Sequence, residues 1–162
     1  MTQYRDNGAV GALLDEYQKS IIELQQVIGN ISQHQLITIA DNETKDPDCK
    51  SIQTILTHVV SSGYGYAIMV RKSLGEEIKP YRRKTLDSIE AYQKALTDMF
   101  AYNEKLFDDY PKLKIYEYDS DKKMIARWGQ RFDVEQLFEH AIVHILRHRR
   151  QIERFLLKIP TK

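Results

Sequence analysis

The segment that carries three of the five histidines lies in residues 133–158, DVEQLFEHAIVHILRHRRQIERFLLK. The segment opens with Asp133-Val134-Glu135-Gln136, a capping-box pattern that marks a helix N-terminus, and it stops before Pro160. Steps of four and three residues then trace one inward seam: Val134, Leu137, Ala141, His144, His148, Gln151 or Ile152, and Phe155. The pattern predicts a long amphipathic helix that carries two histidines on its buried seam.

His144 and His148 stand one helical turn apart, so their imidazoles project from the same face of this helix. A buried imidazole nitrogen without a partner costs about 1 to 3 kcal/mol. A divalent metal ion would satisfy both rings at once, whereas ordinary core histidines or a solvated face would need no ion. His140 lies one turn earlier and falls to one side of the seam.

Three earlier segments also show helical periodicity. Their predicted bounds are about 9–31 for the first, Ser51 to about Gly75 for the second, and Asp87-Ser88-Ile89-Glu90 to just before Pro111 for the third. Residues 41–48 predict a loop, and residues 114–129 predict a short hairpin or an ordered loop before the fourth helix. With no repeat and no long linker, the expected fold is all-α: one domain, residues 1–162, forming a four-helix bundle.

The cysteine content, the apolar runs and the net charge indicate the cellular compartment and the kind of partner. The single cysteine, Cys49, excludes an internal disulfide and favours a reducing compartment. The N-terminal residues lack a signal-peptide pattern, and no run approaches the ~20 apolar residues of a membrane span, so a soluble cytoplasmic protein is expected. A formal net charge of +1 argues against broad attraction to nucleic acid.

A basic cluster on the fourth predicted helix could also suggest a nucleic-acid partner. It consists of Arg147, Arg149, Arg150 and Arg154. Cations near the end of a helix oppose its negative pole, and Glu153 and acids of other helices can pair with them. We therefore expect no nucleic-acid partner.

His58 lies in the middle of the second predicted helix. Small residues follow it within two turns: Ser61, Ser62, Gly63 and Gly65. They would leave space beside the imidazole, or they would allow close packing of two helices. A third histidine facing His144 and His148 would complete a three-nitrogen site with room for water, although the sequence does not settle which way His58 points.

The segments Ile55-Leu56-Thr57-His58-Val59 and His144-Ile145-Leu146-Arg147-His148-Arg149-Arg150-Gln151-Ile152 together resemble the DinB-like superfamily of metal-binding four-helix bundles. The resemblance extends over nearly the whole chain in helix order. It implies a divalent metal ion, nickel or zinc, held by His58, His144 and His148. Arg150 departs from the family, in which many members have glycine at this position. Together with a tyrosine-rich surface on the first and third helices, the resemblance also suggests a homodimer.

The resemblance implies a thiol-dependent transferase, in which the metal lowers the pKa of a small thiol that then attacks an electrophile. Two alternatives stay open: a metal-dependent hydrolase, and a metal-binding stress-response module without turnover. His140 is a candidate proton relay, or a residue that contacts one of the metal ligands. An alternative ligand and a surface residue are its other interpretations. His34 is expected to be exposed, and Cys49 to be inert, because no base is evident beside it.

Overall fold

The computed structural model describes residues 4–161 and is mostly helical, in agreement with the all-α prediction. The helices are α1 (Gly8–Ile28), α2 (Gln33–Ile37), α3 (Ile52–Ser73), α4 (Ile89–Asp109) and α5 (Val134–Leu156). Two 3₁₀ turns, Pro47–Cys49 and Ser120–Lys122, and two short strands, β1 (Met124–Ile125) and β2 (Arg131–Phe132), complete the elements of this part of the chain. Within it, no helix combines the length and apolar character that crossing a membrane requires.

Side-chain caps fix where three of the long helices begin. Ser51 accepts a hydrogen bond from the Thr54 amide, and Asp133 closes the predicted capping box with Gln136. The box predicted at Asp87 is wrong by one residue, because Ser88 is the N-cap and accepts from the Ala91 amide. A short hydroxyl caps the helix here in place of the preceding carboxylate.

The first predicted helix is too long. α1 ends at Ile28, because Gly29 and Asn30 follow and both are weak helix formers. A second helix that the periodicity did not predict, α2, then starts at the N-cap Ser32, whose hydroxyl accepts from the Gln35 amide. Ile31 is still buried, so the predicted apolar stripe continues although the helix does not.

Four long helices surround one hydrophobic core. α1 packs against α4 and α5, and α3 packs against the same two helices from the other side. The largest fully buried side chains include Tyr17, Tyr92 and Phe138. Because α5 contacts both α1 and α3, its inward seam is enclosed, and the half of the seam that carries the histidines meets α3.

The region between α4 and α5 contains the hairpin that the sequence left open. β1 pairs antiparallel with β2, and Gly129 in the turn has a φ of 89°, a conformation that favours glycine. The alternating residues 114–118 form no strand. The hairpin leads directly into α5 and brings Trp128 and Phe132 against His140.

The two glycines of α3 are expected to respond oppositely to alanine. At Gly63, an added Cβ would lie 2.7 Å from Cγ of the fully buried Met99, and the Gly63 carbonyl accepts a 3.0 Å hydrogen bond from Asn103 of α4. Overpacking of this kind costs about 1 to 3 kcal/mol, so Gly63→Ala should lower the free energy of unfolding by about 1 kcal/mol even after the gain in helix propensity.

Gly65→Ala is the matched control. Gly65 is exposed, and a Cβ there would meet no atom within 4 Å, so the substitution should stabilise by about 0.4 to 1 kcal/mol. Urea unfolding of both variants measures the difference. Equal shifts would contradict the close approach of α3 and α4 at Gly63.

Candidate metal centre

Three of the five histidines lie together between α3 and α5. His144 and His148 are each 4% exposed on the inner face of α5, and the His58 side chain of α3 is 29% exposed. The ring centroids are 4.5 Å apart for His144 and His148, 4.9 Å for His58 and His144, and 5.1 Å for His58 and His148. The packing of α3 against α5 therefore answers the question that the sequence left open, because His58 faces the pair.

One nitrogen of His58 is held by a carboxylate. His58 Nδ1 lies 3.1 Å from Oδ2 of Asp48, which belongs to the 3₁₀ turn before α3, and the other Asp48 oxygen accepts from Arg83. The Arg83 guanidinium beside Asp48 lowers the pKa of this carboxyl, which keeps it charged. Nδ1 of His58 therefore carries the proton that Asp48 accepts, and Nε2 is left unprotonated, as an acceptor on the other side of the ring.

His148 is oriented in the same way by an amide. Its Nδ1 donates to Oε1 of Gln151, 3.1 Å away, which leaves Nε2 unprotonated. This Nε2 is fully buried and has no hydrogen-bond partner among residues 4–161. A buried acceptor without a donor is costly, and a cation would satisfy it.

His144 connects the two other rings. Its Nε2 lies 2.9 Å from Nε2 of His58, so without a metal the two rings share one hydrogen bond. Ligand atoms of all three histidines lie within 4.8 Å of one another. Two nitrogens on one tetrahedral zinc are about 3.4 Å apart, from a Zn–N distance of about 2.1 Å, so only small ring movements separate this cluster from a coordinating one. The three histidines fit a divalent metal ion.

The electrostatics of the cluster favour neutral imidazoles. Burial lowers the pKa of His144 to about 2 and that of His148 to about 4, and burial also lowers the pKa of His58. Metal ions bind the neutral form of imidazole. At neutral pH the three rings are therefore already in the protonation state that a metal requires.

His140 stands outside this cluster. Its ring stacks on Trp128 at 5.5 Å and contacts Phe132 and Tyr66 edge-on, while its centroid is 6.1 Å from that of His144. It is half-buried, and burial lowers its pKa. His140 thus forms part of an aromatic wall beside the histidines. His34 lies on α2 and is exposed, as predicted.

The sequence did not identify the residues that orient the histidines. Asp48 and Arg83 come from two different loops, and neither position carries a helical period or a motif that would link it to His58. The seam pattern offers Gln151 or Ile152 at one position and gives Gln151 no role, although its spacing of three residues from His148 is a usable signal. Cys49 also lies here: its Sγ is 3.8 Å from Gln151 Oε1, and burial raises the pKa of its thiol, which agrees with an inert side chain.

Comparison of this chain with protein-family models, with curated proteins and with solved structures finds no match. The chemistry of the site therefore rests on the residues themselves. Three neutral imidazoles, buried or half-buried on two helices, form a candidate site for one divalent metal ion. Two of them, His58 and His148, are oriented by a hydrogen bond from Nδ1.

Proposed function

We propose that His58, His144 and His148 bind one divalent metal ion, nickel or zinc, and that the protein is a metal-dependent transferase that joins a small thiol to an electrophile. The observation that carries this proposal is the buried Nε2 of His148, which lacks a hydrogen-bond partner in the described part of the chain and belongs to a three-imidazole cluster. Three protein nitrogens leave at least one coordination position for an exogenous ligand, the pattern of catalytic rather than structural zinc sites.

The proposed family supports the same activity. We assign α1, α3, α4 and α5 to a DinB-like four-helix bundle, with one ligand on the second long helix and two on the fourth. The homodimer expected from this resemblance stays a prediction, which light scattering at micromolar concentration tests. The cytoplasmic location stays a prediction as well.

When bound, the metal ion would supply Lewis acidity that keeps a thiol deprotonated at neutral pH. The chain supplies the remaining functions. Asp48 and Gln151 hold the rings of His58 and His148 with Nε2 unprotonated. His140 is the proposed acceptor of the thiol proton, because burial lowers its pKa and so favours the neutral ring, and its ring centroid lies 6.1 Å from that of His144.

A panel of biological thiols with a chromogenic electrophile tests the activity. Metal-loaded protein should conjugate at least one thiol, the rate should fall by orders of magnitude in His148→Ala, and it should fall only partly in His140→Ala. His34→Ala is the control, since this histidine is exposed and outside the cluster. Equal rates for metal-loaded and metal-stripped protein with every thiol would reject metal-assisted transfer and favour a binding module without turnover.

A further inference from the structure

A second feature of α5 lies beside the histidine cluster. Arg147, Arg150, Arg154 and Lys158 line a cavity of about 700 Å³, here called the basic cavity. All four side chains are exposed, and none makes an ion pair or hydrogen bond with any residue from 4 to 161. Arg149 differs, because it pairs with Glu23 and lies 3.7 Å from Glu153. The pairing expected for the whole basic cluster therefore holds for Arg149 alone.

The helix dipole explains only part of this arrangement. It favours cations in the last turn of a helix and fades beyond that turn, so it accounts for Arg154 and Lys158 near the end of α5 at Leu156. Arg147 and Arg150 lie too far from the C-terminus. Four unpaired cations of one sign around one cavity instead create a positive potential that attracts anions.

One acidic residue also lines the basic cavity. The Asp41 carboxylate is already engaged, since its Oδ1 accepts hydrogen bonds of 3.0 Å from the amides of Glu43 and Thr44. It caps a turn and pairs with none of the four cations. The lining therefore keeps an excess of positive charge for a ligand.

Gln151 joins the basic cavity to the candidate metal centre. The same side chain lines the cavity and accepts the hydrogen bond from His148 Nδ1. Arg147 directly precedes His148, and Arg150 and Arg154 follow it within two turns, so these cations lie between about 1.5 and 9 Å from His148 along the helix axis. A molecule of a few carbon atoms can span this distance.

We infer that the basic cavity binds the acidic groups of the thiol substrate, so that the thiol is a small molecule bearing carboxylate or phosphate groups. This inference rests on the proposed function, because the sulfur of the same molecule would lie at the three histidines. The volume suits a small ligand, whereas a nucleic acid would need a basic surface far wider than one face of one helix. Guanidinium groups bind carboxylate and phosphate oxygens in pairs, which makes arginine a suitable lining.

The test compares two thiols of similar size with nickel- or zinc-loaded protein by titration calorimetry. Mercaptosuccinate carries two carboxylates, and 1-thioglycerol carries none. Mercaptosuccinate should bind at least about tenfold more tightly, the double variant Arg150→Gln, Arg154→Gln should lose most of that preference, and raising the salt concentration should reduce it. Thioglycerol binding should be unchanged by the double variant.

Lys72→Gln, Lys79→Gln is the matched control, since it removes the same two charges from exposed positions outside the basic cavity. Its mercaptosuccinate affinity should equal that of the unmodified protein. Equal affinities for the two thiols, or an equal loss in both double variants, would overturn the inference and leave the metal site intact.

Succinate, which has the carboxylates but no thiol, separates this inference from the proposed function. If the protein binds no metal, the proposed function fails, and succinate titrated into the metal-free protein still tests the basic cavity. Weak binding that disappears in Arg150→Gln, Arg154→Gln and persists in Lys72→Gln, Lys79→Gln would support an anion site there. Absence of succinate binding to the metal-free protein would reject the anion site in that case.

Discussion

Replacing His148 with alanine is expected to weaken nickel or zinc binding by more than about 100-fold. Loss of a residue that only orients a ligand typically costs 10- to 100-fold, so loss of a ligand on a three-nitrogen site costs more. His144→Ala and His58→Ala should behave alike. Elemental analysis after dialysis should give about one ion per chain for the unmodified protein and far less for these variants.

His34→Ala and His140→Ala are the controls, and both should retain about one ion per chain, because neither side chain belongs to the three-histidine cluster. Thermal unfolding gives a second readout. A metal at 1,000 times its dissociation constant stabilises the folded state by about 4 kcal/mol, and this gain should vanish in His148→Ala. Full affinity in His58→Ala would show that α3 contributes no ligand.

The metal-free protein is expected to lose stability steeply in mild acid. Burial lowers the pKa of His148 to about 4, whereas an unfolded histidine titrates near 6.5. Between these values the unfolded chain binds more protons than the folded chain, so the free energy of unfolding falls as the pH falls. His148 alone accounts for about 3 kcal/mol between pH 6.5 and pH 4, and His144, with its even lower pKa, acts in the same direction.

Urea unfolding of metal-free protein at several pH values between 4 and 7 measures this effect. His148→Gln, which cannot be protonated, should flatten the profile, while His34→Gln should leave it unchanged. Added zinc should move the loss of stability to lower pH, because metal and protons compete for the same nitrogens. A profile of the same slope in His148→Gln would contradict the assignment of the effect to this buried imidazole.

Local chemistry made most helix boundaries predictable. Ser51 and Asp133 cap α3 and α5 as expected, because a side-chain oxygen and the amide three residues later are fixed by neighbouring positions alone. The errors arose where two local signals compete. Asp87 and Ser88 are adjacent capping residues of similar quality, and Gly29 and Asn30 interrupt a stripe whose apolar period continues to Ile31.

Of the candidate site, too, only the part fixed by local sequence could be predicted. The pairing of His144 with His148 follows from a helical repeat, and the structure buries both on the seam where the repeat places them. The direction of His58 depends on how α3 rotates against α5, which involves contacts 86 residues apart in sequence. The contacts of Asp48 and Arg83 with the site could not be predicted, because their positions depend on the paths of two loops.

Arg83 contacts Asp48, and Asp48 contacts His58, so the two loops that carry Arg83 and Asp48 orient a ring that the helices alone only position. α3 and α5 fix the positions of the imidazoles, but the carboxylate that selects the tautomer of His58 is carried by a 3₁₀ turn, and the cation that holds this carboxylate is an exposed residue between α3 and α4. For a bound ion, the rate of release would then depend in part on a contact at the protein surface. A contact that displaces Arg83 would hasten release of the metal without touching any of its ligands.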